Sequence, residues 1–480
     1  MISVQPAVNQ KLKGETKRNA QSVLERIFLI VLVLFVVVLP IVIFPRLSTA
    51  NPVIHSKEYV AQGFVSILLV LGCFLWPYRQ RRPVDIMEYA LIGYVLICLV
   101  STVYSRHIIY CFQESWLYFA LPILSIIIAR IRAIKTDVIL NAIIIAAIIC
   151  CLYGISVFMG HNPLEKYLPF VIENQGRNYV HSFLGNPEHF GIYLAPVGVL
   201  ALGLYFRLID KRIVKYLYAL IALLVIVTIV LTGARGALIG LLIGSIFVGY
   251  TSYRFSTNKI RKITNRFVTL FVALIALSII IFSFPNVINT RGVRLAERFT
   301  ELTDIRSASV KERVLFFSVA GKIIEQHPIL GTGPGTFKLE FYPAIEVLHN
   351  EDQSVAVYNS LLHLKARVAE HVHNDYLEVW ADTGILGFAM FILIPIIVGV
   401  WFLQMLRFKW KQDEKFAIMQ IAVLFGALAS IYVNALYSFP FHLPVRASMA
   451  WILIALYSTE YRKGLKLIEN INEKERQEKL

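Results

Sequence analysis

Long apolar runs, separated by short basic stretches, extend along the chain from residue 27 to residue 459. About 20 apolar residues in a helix cross a bilayer core of about 30 Å, and runs such as 27–44 are too long and continuous for barrel strands. The pattern predicts an all-α, polytopic membrane protein with about 12 spans. The predicted spans are 27–45, 60–76, 87–104, 116–129, 138–159, 187–206, 214–231, 235–251, 266–284, 384–405, 416–437 and 443–459.

The distribution of basic residues predicts the orientation of these spans. With the N-terminus inside, the inner segments carry 30 of the 47 Lys and Arg residues, and the short outer segments with their helix ends carry seven. The other ten lie in the long segment 285–383, and long loops are exempt from the positive-inside bias. We therefore expect both termini to be cytoplasmic and 285–383 to face outward.

This topology divides the chain into five parts. Residues 1–26 form a cytoplasmic N-terminal tail, 27–284 hold spans one to nine, and 285–383 form an extracytoplasmic loop domain. Residues 384–459 hold spans ten to twelve, and 460–480 form a cytoplasmic C-terminal tail. A connection as long as 285–383 is expected to be structured and functional.

The long loop contains its own helix signals. Residues 308–326 predict an amphipathic helix, which His327-Pro328 ends, and the glycines of 331–335 predict a tight turn. A second helix is predicted to begin near His371 and to lead into span ten. The apolar stripe predicted for the first helix is Val310, Val314, Phe317 and Ile324.

The net charge of +16 could suggest nucleic acid as a partner. Because most of the basic residues lie in short gaps between apolar runs, anionic lipid headgroups are the expected partners instead, and no nucleic acid is expected. Four of the five cysteines fall inside apolar runs, and the chain has no CxxC pair. No cofactor is predicted from these features.

Three predicted outer positions carry candidate chemistry. Arg235, in the sequence TGARGA, opens a helix at the membrane boundary, where a guanidinium and a helix N-terminus both favour phosphate. Taken alone, Arg235 is more typical of a side chain that reaches the headgroups, and Arg313 is more typical of a solvated helix face. His373, in HVHNDYLEVW, can act as a general base near neutral pH.

A zinc site at this histidine segment is the competing interpretation. On a helix, His371 and Asp375 would share one face, as would His373 and Leu377. Zinc requires three or four suitable ligands, and HVHND lacks the HExxH pattern. The sequence therefore favours no metal.

Taken together, these motifs resemble the O-antigen ligase and polymerase family of bacterial membrane glycosyltransferases. The resemblance runs from span six to span twelve, and its most specific part is His373-Asn374 followed, at the spacing of the ligase signature, by Gly384 and Gly387. The other matching pieces are Gly185-Asn186-Pro187, TGARGA, the Arg313 helix, HPILGTGPGTF and SFPFHLP.

The resemblance implies transfer of a glycan from a polyprenyl diphosphate carrier to a hydroxyl on a glycan, lipid or protein acceptor. The reaction would occur at the outer face of the bacterial cytoplasmic membrane, without an obligatory metal. By similarity, Arg235 and Arg313 would stabilise the leaving diphosphate, and His373 would activate or orient the acceptor hydroxyl. The candidate substrate-binding residues are Asn374, Asn186, Arg291, Arg294 and Asp375.

Three alternatives stay open at this point. A polymerase of the same family would pass the growing chain to another carrier-linked unit, although the His-Asn-Gly-Gly spacing favours a ligase. A transporter of lipid-linked oligosaccharide would more often carry mid-membrane charges and broken helices in matched halves. A sensor or scaffold would not need Arg235, Arg313 and His373 together. The acidic residues Asp375, Glu378 and Asp382 are expected either to pair with loop arginines or to contact the acceptor.

Overall fold

A computed structural model describes residues 5–45, 51–164, 180–208, 212–255, 308–351, 369–408, 410 and 414–478. All regular elements in these ranges are helical, as the predicted all-α class requires. The helices are α1 (Gln5–Val38), α2 (Pro52–Leu75), α3 (Ile86–Tyr104), α4 (Ile108–Ser115), α5 (Leu121–Arg130), α6 (Thr136–Phe158), α7 (Pro187–Arg207), α8 (Arg212–Thr232), α9 (Arg235–Arg254), α10 (Ala308–Gln326), α11 (Phe337–Glu351), α12 (Asp375–Arg407), α13 (Lys415–Asn434) and α14 (Pro444–Gln477).

Nine helices of the described part are long and apolar enough to cross a membrane, and α4 with α5 makes a tenth if this bent pair is one span. The predicted ninth span, 266–284, lies outside the described residues. The predicted twelfth span coincides with the first half of α14, which is not among the nine. Within that half, Arg446 and Glu460 flank the apolar stretch. The chain is therefore a multi-helix membrane protein.

Helix α7 is the centre of the bundle. It packs against α8, α9 and α13, and almost all of its side chains from Phe190 to Phe206 are buried. Small residues allow α7 and α9 to approach closely. A Cβ added to Gly191 of α7 would lie only 2.5 Å from the Cβ of Ala234, the residue directly before α9. This packing holds the first turns of α7 and α9 side by side.

Helices α10 and α11 form a second, smaller core. Leu315, Val319 and Ile323 of α10 pack with Phe337 and Phe341 of α11, and Ala369, Val372 and Ala381 complete the cluster. The predicted helix 308–326 is confirmed, and Phe317 and Ile324 of its predicted apolar stripe pack against this core, but Val314 of the stripe is 53% exposed. The helix has apolar side chains on adjoining faces, so periodicity alone did not identify the buried one.

At the opposite end of the bundle, a charged cluster connects three helices. Arg130 of α5 contacts Glu88 of α3 at 2.6 Å, and Arg462 of α14 contacts Asp85 at 2.5 Å. Asp85 also caps α3 through a capping box. The cluster fixes the ends of α3, α5 and α14 relative to one another, at the end predicted to be cytoplasmic.

Candidate functional site

A cleft of about 550 Å³ opens where α7, α9 and α10 meet. Arg235 and Arg313 both line it, although 78 positions separate them in the chain. Asn186 lines it as well, so the structure brings together three of the residues selected from the sequence. The remaining lining residues include His181, Glu188, Thr232, Ile239 and Tyr437.

The TGARGA sequence turns the chain sharply from α8 into α9. Gly233 has φ +68°, a left-handed conformation that glycine adopts readily, and the Ala234 N–H donates to Thr232 Oγ1 at 3.2 Å. Arg235 is then the first residue of α9. The Tyr437 hydroxyl donates to the Gly236 carbonyl at 2.9 Å and so ties this turn to the segment after α13.

Asn186 is the N-cap of α7. Its Oδ1 accepts from the backbone N–H groups of Glu188, at 2.8 Å, and His189, at 3.3 Å. Pro187 supplies a fixed φ at the first helical position. The N-termini of α7 and α9 thus reach the same cleft, and the partial positive charge of both favours an anion there.

Glu188 is a cleft residue that the sequence analysis missed. Its Oε1 lies 3.9 Å from Arg313 Nη2, and both side chains are partly exposed. The sequence feature that could have identified Glu188 is its place in the Gly-Asn-Pro-Glu segment, in the first turn of a helix. The carboxylate is a counterion for Arg313 in the cleft, where an anionic ligand would compete with it.

His373 lies in the loop before α12, not on a helix. Its φ is +61°, and α12 begins only at Asp375, so the predicted helical pairings of His373 with Leu377 and of His371 with Asp375 are wrong. The His373 ring stacks on Phe316 of α10 at 5.9 Å and meets the Phe439 ring edge-on at 4.9 Å.

The electrostatic surroundings keep His373 neutral. Burial, and then the charge of Arg313, lower the pKa of His373 to about 4. Its Nδ1 is buried and has no hydrogen-bond partner among the described residues. A neutral ring near the cleft can accept or donate a hydrogen bond, as the predicted role requires.

The predicted binding residues Asn374 and Asp375 make contacts within the protein. Asn374 caps α12, with Oδ1 accepting from the Leu377 N–H at 3.1 Å and Nδ2 donating to the Leu436 carbonyl at 3.0 Å. Asp375 is fully buried, and its two oxygens bind His442 and the Phe441 N–H. These contacts position the His373 loop. Arg291 and Arg294 lie outside the described residues.

A chain of histidines and carboxylates extends behind the loop. His371 Nδ1 lies 2.6 Å from Glu378 Oε1, which lies 3.7 Å from His442 Nε2. His442 Nδ1 lies 2.5 Å from Asp375 Oδ1. Burial alone would lower the pKa of His442, but Glu378 and Asp375 outweigh it and raise the pKa to about 9. His442 is therefore a cation between two carboxylates at neutral pH.

Steric crowding explains why a glycine stands at position 384 of the signature. At Gly384, where φ is +66° and ψ is −174°, α12 is kinked, and a Cβ there would lie 2.1 Å from the Ile329 carbonyl oxygen. The GTGPG turn packs directly against this kink, with the Gly333 N–H donating to the Asp382 carbonyl at 2.8 Å. The Asp382 carboxylate accepts from the Gly335 and Phe337 N–H groups and from the Tyr118 hydroxyl. Asp382 is thus held by three donors of the described residues, whereas the loop arginines Arg291, Arg294 and Arg298, its predicted partners, lie outside the described residues.

In the part of the chain that the structure describes, no group of three or more His, Cys, Asp or Glu side chains is arranged to hold a metal ion. His371, which the zinc interpretation required, is instead bound to Glu378.

The comparison with known families concerns this same region. Residues 220–392 match the model of the O-antigen ligase family. The chain is similar to O-antigen ligases. The match confirms the resemblance predicted from the motifs, and no curated protein matches the chain.

The O-antigen ligase match covers a little over a third of the chain and includes α9, α10 and the start of α12. Arg235, Arg313 and His373 therefore all lie within it. Asn186, Phe439 and His442 lie outside its limits, yet they line the cleft or contact the histidine loop. The site thus extends beyond the matched segment at both ends.

Proposed function

We propose that the protein transfers a glycan from a polyprenyl diphosphate carrier to a hydroxyl acceptor, as an O-antigen ligase-like glycosyltransferase. The observation that carries the proposal is the meeting of Arg235, Arg313 and the N-termini of α7 and α9 in one cleft. Departure of the carrier concentrates negative charge on the diphosphate oxygens. Two guanidinium groups and two helix N-termini, held in place before the reaction, stabilise that charge.

The acceptor side is assigned to the His373 loop. Phe316 lies on α10 three residues after Arg313 and stacks on His373, so the α10 helix connects the donor side of the site to this loop. The neutral ring contacts the acceptor hydroxyl and directs it at the anomeric carbon. Direct displacement of the diphosphate inverts that carbon.

The charge count supports an orientation in the membrane. We infer that both termini are cytoplasmic, that the chain has about 12 spans, and that the cleft opens at the outer face of a bacterial cytoplasmic membrane. A cysteine placed at Asn350 of α11, which is exposed, is then labelled by an impermeant maleimide in intact cells. Protection of that cysteine contradicts the orientation.

The test of the reaction uses the purified protein in lipid nanodiscs. The donor is the polyprenyl-diphosphate-linked glycan extracted from cells that make the protein, and the acceptors are lipid and glycan fractions of the same cells. The wild type is expected to release the carrier and to extend one acceptor fraction, whereas Arg235→Ala and Arg313→Ala lower kcat by about 10²–10³-fold. Wild-type rates in both variants exclude the proposed donor site.

The product distinguishes the ligase from the polymerase of the same family. Transfer of a whole glycan to a foreign acceptor supports the ligase, which the spacing of His373, Gly384 and Gly387 favours. A ladder of repeat units that remains on the carrier supports the polymerase. Movement of intact donor across a vesicle membrane, without carrier release, supports a transporter.

A further inference from the structure

His371 and Glu378 form a hydrogen-bonded pair beside the proposed acceptor site. His371 Nδ1 lies 2.6 Å from Glu378 Oε1, and Glu378 Oε2 accepts from the Val372 N–H at 2.9 Å. Because the carboxylate is an acceptor, Nδ1 of the neutral ring carries the proton and Nε2 holds the lone pair. A histidine oriented in this way by a carboxylate has the arrangement of a general base.

A second histidine and a second carboxylate lie behind this pair. Glu378 also faces His442 Nε2 at 3.7 Å, and His442 Nδ1 contacts Asp375 at 2.5 Å. Glu378 is thus the carboxylate in contact with the His371 ring, and it faces the imidazolium that forms when the ring takes a proton.

His373 lacks this support. No carboxylate of the described residues contacts its ring, and its buried Nδ1 has no hydrogen-bond partner there. Burial and Arg313 lower its pKa to about 4, which supports a role as a neutral group. His373 can orient a hydroxyl but is poorly placed to hold a proton at neutral pH.

Phe439 contacts both histidines. The His371 ring stacks on it with centroids 4.3 Å apart, and the His373 ring meets it edge-on at 4.9 Å. The His371 side chain is 21% exposed, whereas Glu378 is 2% exposed. A substrate can therefore reach the His371 ring but not the carboxylate that orients it.

We propose that His371, oriented by Glu378, takes the proton of the acceptor hydroxyl, an inference that rests on the transfer reaction proposed above. The acceptor oxygen bonds to the anomeric carbon as its O–H proton moves to His371 Nε2. The bond from that carbon to the diphosphate oxygen breaks, and the electron pair leaves with the diphosphate. The imidazolium then returns its proton to the diphosphate or to solvent. Glu378 is a positioning residue in this step.

The test compares two amide replacements in the nanodisc assay described above. Asn in His371→Asn can still donate to Glu378, and Gln in His371→Gln can place an amide near the position of Nε2, but neither is a base. We expect both to lower kcat by about 10²–10⁴-fold with donor KM and melting temperature unchanged. His161→Asn, an exposed histidine just after α6, is the matched control and keeps the wild-type kcat.

Glu378→Gln supplies a readout that a merely structural role would not move. The amide of Glu378→Gln can still accept a hydrogen bond from His371 Nδ1, but it carries no charge opposite the imidazolium that forms in the transition state. We therefore expect kcat to fall with donor KM unchanged, because an interaction made only in the transition state is lost. A wild-type kcat, or a changed donor KM, contradicts the positioning role.

The outcomes separate this inference from the function on which it rests. If the wild type transfers glycan and His371→Gln retains a tenth or more of its kcat, His371 only donates or accepts a hydrogen bond and the inference is wrong. Wild-type kcat in His371→Asn overturns it as well. A wild type that transfers nothing overturns the proposed function itself.

Discussion

His442 Nδ1 lies 2.5 Å from Asp375 Oδ1, and neither side chain is more than 6% exposed. The contact joins the segment before α14 to the first residue of α12. The Asp375 N–H also donates to the carbonyls of Ala435 and Ser438. The start of α12, and with it the His373 loop, is thereby fixed to the ends of α13 and α14.

This pair predicts a loss of stability in mild alkali. The pKa of His442 in the folded protein is about 9, against an ordinary value of 6.5, so the folded state binds the proton more tightly than the unfolded state. The stabilisation is complete below pH 6.5 and is lost as the pH rises from about 6.5 to about 9. The melting temperature in nanodiscs should fall by several degrees over that window.

His442→Gln is the control for this pH dependence. The variant melts at a lower temperature than the wild type at pH 6, because the buried carboxylates lose their cation. Its melting temperature should change less between pH 6.5 and pH 9. If the melting temperatures of the two proteins fall equally between pH 6.5 and pH 9, a group other than His442 causes the loss of stability.

Gly384→Ala should disrupt the junction between α12 and the GTGPG turn. The backbone at φ +66° and ψ −174° strains any other residue by about 1–3 kcal/mol, and the clash of a Cβ with the Ile329 carbonyl adds to this cost. The melting temperature and the transfer rate should both fall. Gly399→Ala lies in the same helix with no atom within 4 Å of its Cβ and should be neutral or slightly stabilising. Equal behaviour of the two variants would refute the steric explanation.

The helices were predictable because their signal is local. The predicted spans 187–206 and 138–159 differ by no more than two residues at either end from α7 (Pro187–Arg207) and α6 (Thr136–Phe158), since a run of about 20 apolar residues carries its own boundaries. Helix α11 was missed, because its polar composition and internal Pro343 interrupt the periodicity.

The site was less accessible from the sequence, because its contacts join distant segments. Motif spacing selected Arg235 and Arg313, which do line one cleft. The partners of Asp375 and Asp382 lie 45 to 264 positions away, and no local pattern specifies such pairs. The roles of Glu378 and His442 therefore became visible only in three dimensions.

Glu188→Gln should strengthen binding of the donor if the cleft takes a diphosphate. The carboxylate lies 3.9 Å from Arg313 Nη2 and competes with an anionic ligand for that guanidinium. A partly exposed pair of this kind contributes about 0.2–1 kcal/mol, so donor KM should fall by about 1.5- to 5-fold. The matched control is Glu346→Gln on the exposed face of α11, with unchanged KM. A higher KM in Glu188→Gln would instead mean that the carboxylate itself binds the substrate.

Asp382→Asn should loosen the α10–α11 pair from the bundle. The Asp382 carboxylate accepts from the Gly335 N–H at 2.8 Å, the Phe337 N–H at 3.2 Å and the Tyr118 hydroxyl at 2.8 Å. An amide has one acceptor oxygen, so its NH₂ group must face one of these donors, at a cost of about 1–3 kcal/mol. Hydrogen exchange at the Gly335 and Phe337 amides should become faster. Tyr118→Phe removes one donor and leaves the carboxylate in place, so the exchange at these two amides should change little. If Asp382→Asn leaves the exchange at both amides as slow as in the wild type, the carboxylate is not what anchors the turn to α12.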